Sequence, residues 1–197
     1  APFLKNKGFE VYDLNFANGF DSDIGFDIFD YLDSEDDYKW FAKQLIDKVS
    51  NEEFWNISAE SVLVAEMCFL RYRIEEFCLD DLIRFHKHIQ LNASGPTLKT
   101  SIDDIMRQAM EEHPDSLGLL NWNIIQSNAP KTAACIFSTV TSCLDNFSND
   151  SILELSKMNR HFDISRLNRI KSILFITTSP TDNSTCKFID IVYSLLF

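Results

Sequence analysis

Ser172-Ile173-Leu174-Phe175-Ile176-Thr177-Thr178 is apolar and β-branched, with no alternation of polar positions. A continuous run of that kind reads as a parallel strand covered on both faces. Its counterpart near the other end is Phe9-Glu10-Val11-Tyr12-Asp13-Leu14, a second short β-prone stretch. Nearly everything between the two carries helical spacing. Two strands do not make a stable sheet alone. The simplest account is a compact bundle of six to seven helices inserted between strands of a larger α/β protein. The fold class is therefore mainly α. Residues 1–15 form one strand-bearing flank, 16–170 the helical domain and 171–197 the second flank.

A hydrophobic content of 45% with seventeen Phe supplies a real core and excludes a disordered chain. No stretch approaches the roughly 20 apolar residues a spanning helix needs; the best, Val62 to Leu70, is interrupted by Glu66 and ends at Arg71. Neither a signal peptide nor a lipidation motif is visible. The five cysteines are never closer than eight residues apart, which fits reduced thiols in a cytosolic compartment better than a zinc or redox motif. The five N-x-S/T triplets, Asn56-Ile57-Ser58 among them, read as incidental in such a chain.

The formal net charge of −12 opposes a general grip on phosphate backbones and favours a basic protein partner. The imbalance is local. From Glu10 to Asp37 there are ten Asp and Glu and no Lys or Arg, whereas Lys157, Arg160, Arg166, Arg169 and Lys171 make the stretch before the last strand basic.

Asn15 to Asp33 reads as an irregular acidic and aromatic connection. Ser34-Glu35-Asp36-Asp37 opens a helix well, with a capping hydroxyl followed by three carboxylates at the positive end of the helix dipole. Its expected stripe is Trp40, Phe41, Leu45, Ile46 and Val49. A longer, central helix runs from Glu52 to about Arg73, with Phe54, Trp55, Val62, Ala65, Phe69 and Tyr72 at helical spacing. Others follow at 80–91, from Thr100 to His113-Pro114 with Asp103 as capping partner, at 117–126 weakened by Gly118, and at 131–144 after Pro130. A short turn at 151–155 precedes the strand, and Ser184 to Phe197 is a final helix.

The chemical motifs are few. Asp21-Ser22-Asp23-Ile24-Gly25-Phe26-Asp27 has a calcium-loop look, but Phe26 and Leu32 stand where the loop needs Gly and a bidentate Glu, so a solvated acidic loop is the better reading. His86 and His88 lie two apart and point to different helix faces, as surface histidines do. His113 and His161 have no acid or nucleophile partner visible in the sequence. No metal site, cofactor site or catalytic residue is assigned. The loop 179–185 between strand and helix could present amides to a ligand, but it lacks the Gly-rich phosphate-binding pattern.

Residue by residue, the chain also resembles a family. Lys7-Gly8-Phe9-Glu10-Val11-Tyr12-Asp13-Leu14-Asn15 matches a strand of the type IV secretion coupling proteins, the TraG/TraD-like conjugative ATPases. Phe26-Asp27-Ile28-Phe29-Asp30-Tyr31-Leu32 is similar to their "YNPFxYI" segment, with Asp27 and Ile28 in place of Asn-Pro. Phe54-Trp55, Lys131-Thr132, the strand from Lys171 to Thr177, and Phe188-Ile189, Tyr193 and Leu195-Leu196-Phe197 follow in the family's order.

The resemblance implies an all-α domain set in a RecA-like nucleotide-binding core of a hexameric, membrane-anchored motor, on the cytoplasmic side. The ATP and Mg²⁺ site would belong to a P-loop before Ala1 and a Walker B strand after Phe197, so this chain is expected not to be an enzyme by itself. Its partners would be a relaxase or relaxosome accessory protein and secreted substrates. Asp21, Asp23, Glu35, Asp36 and Asp37 are the candidate docking residues by electrostatic steering. Lys157, Arg160, Arg166 and Arg169 are the candidates for an alternative contact with single-stranded DNA.

Overall fold

In a computed structural model, which describes residues 2–46, 50–168, 171–179 and 184–196, the protein is mainly helical with only short strands. In chain order the elements are α1 (Pro2–Asn6), β1 (Glu10–Asn15), α2 (Glu35–Ile46), α3 (Glu53–Arg73) and α4 (Leu79–His88). A two-residue hairpin follows, β2 (Leu91–Asn92) with β3 (Lys99–Thr100). Then come α5 (Asp103–Glu112), α6 (Leu117–Leu120), α7 (Asn123–Ser127), α8 (Pro130–Asp145), α9 (Asp150–Ser156), β4 (Ser172–Thr177) and α10 (Ser184–Leu196). The chain divides into two compact units, one made of 1–31, 78–80 and 146–197, the other of 32–77 and 81–145.

The first unit is organised by the two stretches that the sequence marks as strands. β1 and β4 pair in parallel, from Glu10 opposite Ser172 to Asn15 opposite Thr177. Leu14 and Tyr12 point into the core, where Tyr12 meets Phe162 edge-on at 5.1 Å. The ring of Phe188 on α10 stands edge-on to Phe16 at 5.6 Å, Phe26 at 6.2 Å and Phe147 at 5.7 Å. The acidic, aromatic connection after β1 is irregular as expected, with 3₁₀ turns at Gly19–Asp21 and Ile28–Tyr31. Part of its apolar set is core, with Phe16, Phe26 and Ile28 each at most 1% exposed, whereas Phe20 is 71% exposed.

One expectation is corrected here. β4 is not covered on both faces, and Phe175 is 46% exposed. Phe175 and Thr177 share one face of the strand, and both are exposed, so no described residue fully covers that face.

The second unit is a helical bundle around α3, which packs against α2, α6 and α8. Eleven consecutive-turn positions of α3 from Ser58 to Leu70 are buried, Glu66 among them. Each large side chain buried this way is worth about 2 kcal/mol. α2 contributes Tyr38, Phe41, Ala42, Leu45 and Ile46; Trp40 is only half-buried, and Val49 lies outside the described residues. Phe54 and Tyr72 at the ends of α3 are exposed at 48% and 41%, so the apolar stripe is narrower than its spacing implies.

Ser34 begins α2 as the sequence says. Its hydroxyl accepts from Asp37 N at 3.2 Å, while the Asp37 carboxylate takes Ser34 N at 2.9 Å. The helix expected at 117–126 is instead two short ones, α6 and α7, and Gly118 is the position where the backbone comes closest to α3. A Cβ there would lie 2.3 Å from Cys68 Sγ, so only glycine fits.

Candidate functional site

The acidic residues serve different ends. Glu35 turns inward: its carboxylate accepts from Gly118 N at 2.8 Å and from the Ser116 hydroxyl, so it caps α6 from another helix. Asp37 closes the capping box of α2, and these hydrogen bonds, led by the Ser34 hydroxyl, hold its carboxyl below the usual range. Asp36 stays at the surface, 89% exposed, with Lys39 at 2.8 Å. In the other unit Asp21 accepts from Asn18 Nδ2 at 2.6 Å and Asp23 is exposed. Of the five candidates, Asp21, Asp23 and Asp36 therefore keep their charge at the surface, whereas Glu35 and Asp37 hold helix ends together.

The basic candidates separate as well. Lys157 is occupied by the nearly buried Asp80 at 3.0 Å. Arg166 pairs with Glu10 at 3.1 Å and lies over the Tyr12 ring at 6.0 Å. Arg160 is exposed and makes no ion pair among the described residues. Arg160, Arg166 and Lys5 line one open groove of about 370 Å³ with Phe9, Glu10, Val11 and Tyr12 along β1. Arg169 lies outside the described residues, as does 180–183 of the loop considered for amide binding.

Two histidines differ from their sequence reading. His88 is exposed, but His86 is 3% exposed and sits between helices. Its Nδ1 lies 2.9 and 3.0 Å from the two oxygens of Glu66, itself fully buried, and its Nε2 lies 2.9 Å from Thr141 Oγ1. Burial works against the charged ring, yet the Glu66 carboxylate overrides it and holds the His86 pKa above its ordinary value. The order carboxylate–imidazole–hydroxyl has the outline of a nucleophile relay. The Thr141 hydroxyl also reaches Phe137 O at 2.9 Å, so its one proton has two acceptors and the contact alone does not make a relay.

His161 gains a partner 131 residues away, with Nδ1 2.6 Å from Asp30 Oδ2. That hydrogen bond raises its pKa against partial burial. The sequence could not have paired these residues, since neither lies on a helix face that contains the other.

Asp27 is the other site that sequence reading passed over. It is 1% exposed; its oxygens accept from Phe29 N at 2.7 Å and from Leu79 N, the first residue of α4, at 2.9 Å. Burial pushes its carboxyl up to about 7, against the pull of those two backbone donors. The signal available in the sequence was the departure from the family's Asn at this place.

Among the described residues no group of three or more His, Cys, Asp or Glu could hold a metal ion, and no helix is long and apolar enough to cross a membrane. No curated protein matches the chain. A family model does, and it spans residues 3–196. Its description is type IV secretory system conjugative DNA transfer. The parallel β1–β4 pair with helices filling the sequence between, together with that match over almost the whole length, makes this chain a member of the type IV secretory system conjugative DNA transfer family.

Proposed function

We propose that this chain is the substrate-receiving part of a coupling protein, the component that brings a relaxase–DNA complex or a secreted protein to the motor and channel. The observation that carries the reading is the family match over 3–196, joined to a helical unit with its own core and a surface bearing the exposed carboxylate Asp36. Asp21 and Asp23 add exposed carboxylates on the other unit. A basic partner would be drawn to such groups by charge complementarity, which acts mainly on the rate of encounter. ATP hydrolysis, Mg²⁺ binding and membrane anchoring belong in this reading to the rest of the coupling protein, and the chain alone is a binding module.

The test is a binding assay with purified relaxase and its accessory proteins. Asp21→Lys, Asp23→Lys and Asp36→Lys together should slow association tenfold or more at low salt. Unchanged association kinetics in a folded triple variant would remove these residues from the docking surface.

A second reading rests on the groove lined by Lys5, Arg160 and Arg166 with Phe9 and Tyr12. Cations beside aromatic rings are what a single nucleic acid strand needs. Filter binding of single-stranded DNA at low salt should be measurable in the parent and lost in Arg160→Glu. Equal retention by both proteins would end this reading.

A further inference from the structure

Three helices of the second unit meet at one polar point that no docking role requires. Glu66 comes from α3, His86 from α4 and Thr141 from α8, and the three side chains are linked by contacts of 2.9 to 3.0 Å. The direction of each hydrogen bond is determined by what the partners can give. The Thr141 hydroxyl can give its one proton to Phe137 O at 2.9 Å, and its oxygen then accepts from His86. The Glu66 carboxylate accepts from the other nitrogen. With both ring nitrogens donating the ring is the imidazolium, whose charge compensates the buried Glu66 carboxylate.

From this arrangement we infer that His86 is a protonated pin between α3, α4 and α8, and that its deprotonation releases the 81–88 part of α4. A neutral ring keeps one N–H. It can keep Glu66 while the Thr141 hydroxyl turns toward the bare nitrogen, but the buried carboxylate then has no counter-charge, which destabilises the packed state. The other charged groups facing the ring are Lys87 beside it on α4 and Asp145 on α8, which pair with each other at 2.7 Å. The Phe137 ring stacks on His86 at 5.7 Å. His86 also reaches a groove of about 350 Å³ bounded by Ile89, Leu91, Ala134, Ser138 and Thr141, which gives water a route to the pin.

The sign follows from linkage. A histidine whose pKa is raised on folding contributes its full hold below its ordinary value, and the hold is lost as pH rises through the raised one.

The experiment is side-chain ¹⁵N NMR of the histidines between pH 5 and 9, paired with amide hydrogen exchange of the whole chain. Below its midpoint both nitrogens of His86 should carry protons, and that midpoint should lie above the ordinary histidine value. Exchange at 81–88, corrected for base catalysis, should speed up tenfold or more across the His86 midpoint. Thr141→Val, which removes the acceptor with little change of shape, should move that midpoint down by a factor of three or more in proton affinity and carry the exchange break with it. A His86 midpoint at or below the ordinary histidine value, or exchange at 81–88 with no break at its midpoint, overturns the inference. So does a break that stays in place in Thr141→Val. If that variant does not fold, the parent's two measurements decide.

Discussion

Gly118→Ala offers a sharp test of how the helical unit is packed. By helix propensity alone the change should stabilise α6 by about 1 kcal/mol. The surroundings argue otherwise. The new methyl would stand 2.3 Å from Cys68 Sγ and 3.1 Å from Glu35 Cδ, both closer than atoms approach without displacement. Cys68 is 1% exposed on the central helix, so its sulfur has little room to retreat. Overpacking of this kind costs about 1–3 kcal/mol. Pushing Glu35 away also strains the bond to Gly118 N, and hydrogen bonds to charged groups are worth about 1.5–3 kcal/mol. The net expectation is a loss of about 2–4 kcal/mol.

The assay is urea unfolding followed by tryptophan fluorescence. Trp40, Trp55 and Trp122 all lie in the helical unit, so the signal reports that unit alone. Cys68→Ala removes the obstructing atom, and in the double variant at least half of the loss should return as a coupling energy. A Gly118→Ala protein as stable as its parent would refute the reasoning. A double variant whose losses simply add would show that the contact with Cys68 is not the cause.

Three further outcomes are expected. Glu35→Lys should lower the stability of the same unit by about 3 kcal/mol, because the Gly118 amide and Ser116 hydroxyl lose their acceptor, whereas Asp36→Lys should stay within about 0.5 kcal/mol; the fluorescence unfolding curves separate the two. Ser34→Ala removes the hydroxyl of the capping box and should cost about 1 kcal/mol in the same curves. Asp27 keeps its proton in the folded chain up to about pH 7 and releases it near the ordinary carboxylate value when unfolded. Stability of the strand-bearing unit should therefore fall as pH rises from 4 to 7, by up to about 4 kcal/mol, and level off above. Calorimetry across that range should show the slope in the parent, and Asp27→Asn should flatten it.

The elements that the sequence reveals are those whose signal is local. The capping residues Ser34 and Asp37 are three apart, and the strand at 172–177 announces itself by composition. Helix α3 is legible from the spacing of Val62, Ala65 and Phe69. What escapes is whatever depends on residues far apart in the chain. Glu66 reads as a break in an apolar run and proves to be fully buried, because its partner His86 arrives twenty positions later. Glu35 reads as one more carboxylate of an acidic surface, and only the fold brings Ser116 and Gly118 to it. Gly118 reads as a weakness in a helix, since nothing near it in sequence foretells the sulfur of Cys68. The candidate site was legible as charge and not as availability: which carboxylates stay at the surface depends on which are spent on helix ends.

The strand pair has a mechanical consequence. Six residues of β1 lie alongside six of β4 in the same direction, although some 156 residues of chain separate Asn15 from Ser172. A pull on the intervening chain draws one strand forward by its C-terminal end and the other backward by its N-terminal end, so the ladder is loaded along its length. Its rungs must then give way together rather than unzip one at a time. The two segments form a clamp that resists such a pull by shear.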